Sequence, residues 1–155
     1  MIAEAHRRGL TVLELLCVLG VLAVLLAAAL PQVSAVWPRV LADQAARQLA
    51  ADLELARVRA IHRNSRVRAA LELASAQYRI EVESEGRFDP EGAPRRLPAG
   101  IGFDAAGSTR VVGGRISITF LPRGHTADNA TIAVAAPNGQ RRRVIVSAAG
   151  RVRTE

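Results

Sequence analysis

The feature that most constrains this chain is an apolar run near its start, from Leu10 to Leu30. Among these 21 residues only Glu14 is charged. A helix of this length extends about 31 Å, which matches the roughly 30 Å hydrocarbon core of a bilayer. A lone carboxylate inside such a segment costs free energy unless it has a partner. The run therefore predicts a membrane-spanning helix in which Glu14 has a specific role.

The flanks of this run indicate its orientation. Arg7 and Arg8 precede it, and the positive-inside rule places a basic flank in the cytoplasm. The alanines at 27–29 resemble a signal-peptidase site, but Leu30-Pro31 fits that site poorly and the run exceeds an ordinary signal sequence. We expect a single-pass membrane protein with a cytoplasmic N-terminus and its C-terminal domain on the opposite side. A plain anchor, retained throughout, is the alternative.

Residues 9–14, Gly-Leu-Thr-Val-Leu-Glu, resemble the processing site of type IV prepilins and type II secretion pseudopilins. The resemblance implies that a prepilin peptidase cuts after Gly9 and methylates Leu10. Glu14 then becomes the fifth residue of the mature chain, where the family has its glutamate. Pro31 becomes the twenty-second, another position that the family uses. Leu10 departs from the commoner Phe at the first mature position.

The resemblance also implies a role for Glu14. In the family this carboxylate faces the N-terminal ammonium of a neighbouring subunit. Opposite charges paired in a low dielectric offset part of their desolvation cost, and a wrong register leaves the carboxylate unpaired. The hypothesis is that Glu14 guides the docking of subunits and their extraction from the membrane.

The helical pattern continues after the apolar run. Trp37 lies where an interfacial aromatic would anchor, and Pro38 predicts a second kink, after Pro31, or a break. Over residues 39–63 apolar side chains recur at three- and four-residue steps, which predicts an amphipathic helix. Asn64-Ser65 is a plausible stop. The apolar positions are Leu41, Ala45, Leu49, Leu53, Ala56 and Ala60.

The remainder of the chain has the alternation typical of β-strands. Alternating apolar residues at 67–73 and 78–82 predict a hairpin, and those at 116–120 predict a further strand. Pro137-Asn138-Gly139 predicts a turn between strands at 131–135 and 143–147, and a last strand follows at 151–153. We predict short strands at 100–103 and 110–112 and an irregular loop at 84–99. The fold class is α+β: a long N-terminal helix packed on a mainly antiparallel sheet.

Motifs in this second half resemble the GspH/FimT branch of minor pilins and pseudopilins, through residues 118–124, 131–134, 143–147 and 150–153. The resemblance implies a leader at 1–9, a transmembrane and assembly half-helix at 10–37, an amphipathic half at 38–64 and a β-rich domain at 65–155. Gly150-Arg151-Val152-Arg153 matches a terminal Gly-Arg-x-Arg that the branch associates with DNA binding during natural transformation.

The arginines near the C-terminus allow two interpretations of their function. Arg151 and Arg153, two apart on a predicted strand, share a face, and Arg141, Arg142 and Arg143 precede the neighbouring strand. Guanidinium groups suit phosphate oxygens, and binding would be independent of sequence and sensitive to salt. The alternative is a solvated basic edge that discourages aggregation between sheets.

Composition narrows the function classes. All 21 basic residues are Arg and the net charge is +7, which permits anionic partners without identifying one. Cys17 is the sole cysteine, so no intrachain disulfide can form. No His or Cys pair has metal-ligand spacing, and no Gly-rich loop joins a strand to a helix. We expect no catalytic activity and no cofactor.

The sequence thus predicts a fibre subunit of a type IV pilus or a type II secretion pseudopilus. Its expected partners are a prepilin peptidase, other subunits, the inner membrane and, as a hypothesis, DNA. A membrane-anchored periplasmic binding module that never assembles is the alternative.

Overall fold

The structure, a computed structural model, describes residues 11–127 and 129–155, and only the backbone of residues 28–35. Within these residues one α-helix precedes nine β-strands. The predicted processing residues Gly9 and Leu10 lie outside the described residues, as does the predicted leader. The elements are α1 (Val12–Arg63), β1 (Val67–Glu72), β2 (Gln77–Ser84), β3 (Arg87–Pro90), β4 (Arg95–Arg96), β5 (Gly102–Asp104), β6 (Arg115–Phe120), β7 (Ala130–Ala135), β8 (Arg141–Val146) and β9 (Val152–Thr154).

The chain divides into two compact units, Met1–Val36 and Trp37–Glu155. In the first, the backbone is helical from Val12 onward and the side chains of residues 11–27 are all exposed. Within the described residues, no helix is both long and apolar enough to cross a membrane.

In the second unit, one stripe of α1 is buried. The helix continues through Pro38, so the predicted break there is wrong. It ends at Arg63, as Asn64 predicts. Asn64 has a positive φ of 47°, and the Ser65 N–H donates to the Ala60 carbonyl at 3.3 Å, which closes the helix with a left-handed cap. The buried stripe is Ala42, Ala45, Ala46, Leu49, Leu53, Ala56 and Ala60.

The first sheet has the strand order β3-β2-β1-β6, and β4 also pairs with β2. All its pairings are antiparallel, and the predicted hairpin is confirmed with Ala69 opposite Ile80. The predicted irregular loop at 84–99 is wrong, because it contains β3 and β4, both paired with β2. Both strands are short and polar, so apolar alternation could not reveal them.

The second sheet has the order β5-β7-β8-β9 and is also antiparallel. The predicted turn is confirmed: Gly139 has a φ of 81° and its N–H donates to the Ala136 carbonyl at 3.0 Å. No strand forms at 110–112, where a single bridge joins Val112 to Arg115. The strand predicted at 143–147 begins earlier, at Arg141, so the three consecutive arginines belong to β8 itself.

Both sheets and α1 contribute to one hydrophobic core. Leu49 and Leu53 of α1, Phe120 of β6 and Val144 of β8 are fully buried in it. Every buried hydrophobic side chain of the described residues lies between Ala42 and Val146. The unit Trp37–Glu155 therefore carries the whole of this core, as a unit able to fold on its own requires.

Candidate functional sites

The described N-terminal end of α1 is capped by its own sequence. Thr11 precedes the first helical residue, and its Oγ1 accepts a hydrogen bond from the Glu14 N–H at 3.2 Å. The first helical bond runs from the Leu15 N–H to the Thr11 carbonyl at 3.1 Å. Thr-x-x-Glu is the capping-box signature, which was readable in the sequence but was missed. Glu14 thus lies in the first helical turn, where a carboxylate complements the positive end of the helix dipole.

The Glu14 carboxylate makes no ion pair with any described residue, and the surface around it is apolar. Large apolar side chains cover the helix from this end onward, and each is at least half exposed in the isolated chain. Removing apolar surface from water is favourable by about 25 cal/mol per Å². The described residues do not cover this surface, so a partner outside them would have to. These side chains are Val12, Leu13, Leu15, Leu16, Val18, Leu19, Val21, Leu22, Val24, Leu25 and Leu26.

The register of the second sheet distributes the predicted DNA-binding arginines over two faces. Val144 and Val146 are buried, so alternation places Arg142 with them and Arg141 and Arg143 on the opposite, outer face. Arg153 pairs with Ile145, which is also on the outer face. The Arg151 carbonyl accepts from the Ser147 N–H at 3.0 Å, so Arg151 lies opposite Ser147, which continues the outward alternation of Arg143 and Ile145. We call Arg141, Arg143, Arg151 and Arg153 the outer arginine face.

Two of these four guanidiniums are already occupied. Arg141 Nε lies 3.0 Å from Asp104 Oδ2, and Arg153 lies 3.5 Å from the Glu155 carboxylate. Arg143 and Arg151 have exposed side chains that form no ion pair with a described residue. The outer face therefore offers two uncompensated positive charges and two partly compensated ones.

Arg142 was predicted as part of the same patch, and the structure separates it. Its Nε donates to Asp43 Oδ1 of α1 at 3.2 Å, and its side chain is only 31% exposed. The sequence could not show this separation, because the register that turns Arg142 inward depends on where β8 begins.

Gly150, the glycine of the terminal motif, has a steric role. Its φ is 79°, and a Cβ built there would overlap the Gly124 carbonyl oxygen. The same carbonyl accepts a hydrogen bond from Arg57 Nε at 2.9 Å. Gly150 is therefore required for packing, whereas Arg151 and Arg153 are free of that constraint.

The helix also holds the last strand. Glu54 Oε1 accepts from the Val152 N–H at 3.1 Å, and Arg57 reaches both Glu54 and the Gly124 carbonyl. Because β9 is an edge strand, an unpaired N–H there would invite pairing with another chain. Glu54 satisfies that donor and fixes the strand from which the outer arginine face projects.

A buried polar cluster joins α1 to the first sheet. Asp52 is 6% exposed; its carboxylate accepts from the Tyr78 hydroxyl at 2.5 Å and forms an ion pair with Arg95. Burial, reinforced by the hydrogen bond to Asp52, raises the pKa of Tyr78 well above its ordinary value. Arg95 lies in the segment that was predicted to be a loop. The cluster ties that segment to the helix and was not predicted.

No three His, Cys, Asp or Glu side chains among residues 11–127 and 129–155 converge as a metal site would require. Two surfaces stand out: the apolar first part of α1, whose one carboxylate is Glu14, and the outer arginine face.

Comparison with known proteins decides the family. The sequence profile described as Type II transport protein GspH matches residues 45–150. The pilin-like protein PilA1 of Thermus thermophilus is 36% identical over 167 residues, which cover 96% of this chain and 99% of that protein. This chain belongs to the GspH family.

Solved structures share the fold of this GspH-family chain. The type IV minor pilin FimU of Pseudomonas aeruginosa superimposes with a TM-score of 0.59 at 22% identity, covering 76% of this chain and 90% of FimU. The minor pseudopilin EpsH of the Vibrio cholerae type 2 secretion system gives 0.61 at 13% identity, covering 74% and 95%. The predicted fold, a long helix packed on antiparallel sheet, is confirmed.

Proposed function

We propose that this GspH-family protein is a minor subunit of a type IV pilus or a type II secretion pseudopilus, with a structural and not a catalytic role. A prepilin peptidase cuts after Gly9 and methylates Leu10. The chain is inserted in the inner membrane, with its N-terminus cytoplasmic and its sheets periplasmic, and is later incorporated into the fibre. The processing motif and the family membership support this proposal.

The observation that carries the proposal is the exposed apolar half of α1 with its single carboxylate. Such a surface is stable in a bilayer or among other helices, but not in water. Glu14 has no described partner, and the new ammonium at Leu10 of a neighbouring subunit supplies one. Pairing the two charges offsets part of the cost of burying each, and it selects one register between subunits.

The test compares Glu14→Gln with Glu85→Gln, which changes the same group at an exposed position outside the core. Glu14→Gln keeps the side-chain length and the Thr11 cap, but it removes the charge. We expect normal cleavage and membrane insertion with a loss of about tenfold or more in fibre incorporation, as the loss of one buried charge partner implies. The control should incorporate normally. Normal incorporation of the Glu14→Gln chain would refute the assembly role.

A second candidate function, DNA binding for uptake, is favoured by the outer arginine face. Arg143 and Arg151 have no described ion partner, and their face is set on β8 and β9, which are held in register by backbone hydrogen bonds. Contacts from so few guanidiniums to phosphates give weak binding, so several subunits along a fibre would have to act together. The solvated basic edge remains the competing explanation.

Duplex binding by the full chain in detergent separates these explanations. Arg143→Gln with Arg151→Gln is compared with Arg87→Gln with Arg115→Gln, which removes the same charge from the first sheet. We expect the first pair to weaken binding and to reduce the slope of log affinity against log salt by about 0.9 for each phosphate that is no longer neutralised. Equal effects of the two pairs would indicate net charge alone and reject the face.

A further inference from the structure

A cleft in the unit Trp37–Glu155 collects three arginines that neither the core nor the outer arginine face uses. It has a volume of about 350 Å³ and lies between the start of this unit's helix and β8. Three guanidiniums and one carboxylate line it, a local excess of positive charge. The lining residues are Arg39, Val40, Asp43, Gln44, Arg47 and Arg142.

Asp43 organises two of these guanidiniums. Its carboxylate lies 2.9 Å from Arg47 and 3.2 Å from Arg142, so it holds one arginine from α1 beside one from β8. Arg39 makes no ion pair within the described part of the chain. Two preset guanidiniums and a third without an ion pair, around one cleft, suit an anion with several oxygens, since a phosphate accepts hydrogen bonds from each.

The position of the cleft indicates the source of that phosphate. Trp37, the only tryptophan, is 59% exposed and lies one helical turn before Val40 and two before Gln44, on the same side of the helix. Tryptophan rings favour the headgroup level of a membrane, where their polar and apolar parts are both satisfied. Basic residues at that level meet lipid phosphates.

We propose that the cleft binds the headgroup of an anionic phospholipid, with Arg39, Arg47 and Arg142 on the phosphate. The Gln44 amide and the Asp43 carboxylate line the same cleft and offer partners to the hydroxyls of a glycerol headgroup, so phosphatidylglycerol is the preferred lipid. The site acts at the membrane stage of the proposed function and rests on it. Arg142 thereby has a role distinct from DNA binding.

The test uses the full chain in phosphatidylcholine vesicles that contain a minor fraction of phosphatidylglycerol. After gentle extraction, native mass spectrometry counts the lipids of each class that remain bound. Arg47→Gln and Arg142→Gln are compared with Arg87→Gln and Arg115→Gln, which carry the same charge change on the first sheet. We expect phosphatidylglycerol to be enriched about tenfold over its bulk share, with this enrichment lost in the first two variants only.

Each alternative has its own readout. Equal enrichment in all four variants would overturn the site. Phosphatidylglycerol in the vesicles should change the fluorescence of Trp37, which lies beside the cleft. Inorganic phosphate, titrated with pure phosphatidylcholine vesicles, should not reproduce that change; if it does, the ligand is a free anion and the lipid site is refuted. Failure to float with pure phosphatidylcholine vesicles would contradict the membrane stage of the proposed function. Flotation without lipid preference contradicts the headgroup site alone.

Discussion

The two parts of α1 differ in where their apolar surface finds its partner. From Trp37 to Arg63 the helix buries a stripe on the two sheets, and Leu53 is 0% exposed. Over residues 12–27 every side chain is exposed, and Leu19 is 55% exposed. One part is stabilised within the chain. The other is apolar all round, and a helix of that kind is stable when something outside it covers its surface.

The core lies entirely in one of the two units. All buried hydrophobic side chains of the described residues belong to the second unit, so the proposed transfer of the first unit from lipid to a fibre would leave that core intact.

A matched pair of glycines gives the largest difference. Gly150→Ala forces a methyl group against the Gly124 carbonyl oxygen at a positive φ, so we expect a loss of about 4 kcal/mol or more in the free energy of unfolding. Gly20 has nothing within 4 Å, and Gly20→Ala should stabilise its helix by about 0.5–1 kcal/mol. Chemical denaturation of both variants in detergent measures the difference. Similar stability of the two would show that the close approach at Gly150 is incorrect.

Two leucines of the same helix give the next difference. Leu53→Ala leaves a cavity in the core and should lower the free energy of unfolding of the second unit by about 3 kcal/mol. Leu19→Ala should change it by less than about 0.5 kcal/mol, because Leu19 lies outside that core. Urea titration followed by circular dichroism compares them, and equal losses would abolish the distinction between the two parts.

The buried cluster on α1 predicts a dependence on pH. Tyr78→Phe removes a hydrogen bond to Asp52 and should cost about 1–2 kcal/mol at neutral pH. Because the pKa of Tyr78 is raised in the folded chain, its contribution is complete below the ordinary tyrosine pKa of about 10 and declines as pH rises above it. The alkaline decline in melting temperature should therefore be smaller in Tyr78→Phe. An identical decline in both proteins would show that another group causes it.

The smallest effect is expected at the exposed end of the helix. Thr11→Ala removes the cap on the Glu14 N–H and should weaken the first turn by about 1 kcal/mol, whereas Thr11→Ser should retain it. Amide hydrogen exchange at residues 13–15 reports this locally, and the melting temperature of the second unit should not change. Unaltered exchange in Thr11→Ala would show that the Thr11 side chain does not cap the helix.

The features that could be predicted from the sequence are those determined by residues close together along the chain. The stripe through Leu49, Leu53 and Ala56 follows from helical spacing, and the β7–β8 turn follows from Pro137-Asn138-Gly139. Both depend on neighbours within a few residues. The helix end at Asn64 is of the same kind.

Apart from the Thr11 capping box, the side-chain contacts that were missed join distant residues. Arg142 and Asp43 are 99 positions apart, and Arg95 and Asp52 are 43 apart. No local pattern predicts such pairs, because each depends on strand register and on which side of the sheet the helix packs. The steric need for Gly150 has the same origin, since it depends on the crossing with Gly124.

The central claim, that the exposed part of α1 is a processed assembly segment, has one direct test. The protein is purified from the inner membrane of a host that expresses the matching prepilin peptidase, and its N-terminus is analysed by mass spectrometry. We expect a chain that begins at Leu10 with one added methyl group. A chain that still carries residues 1–9 would contradict it.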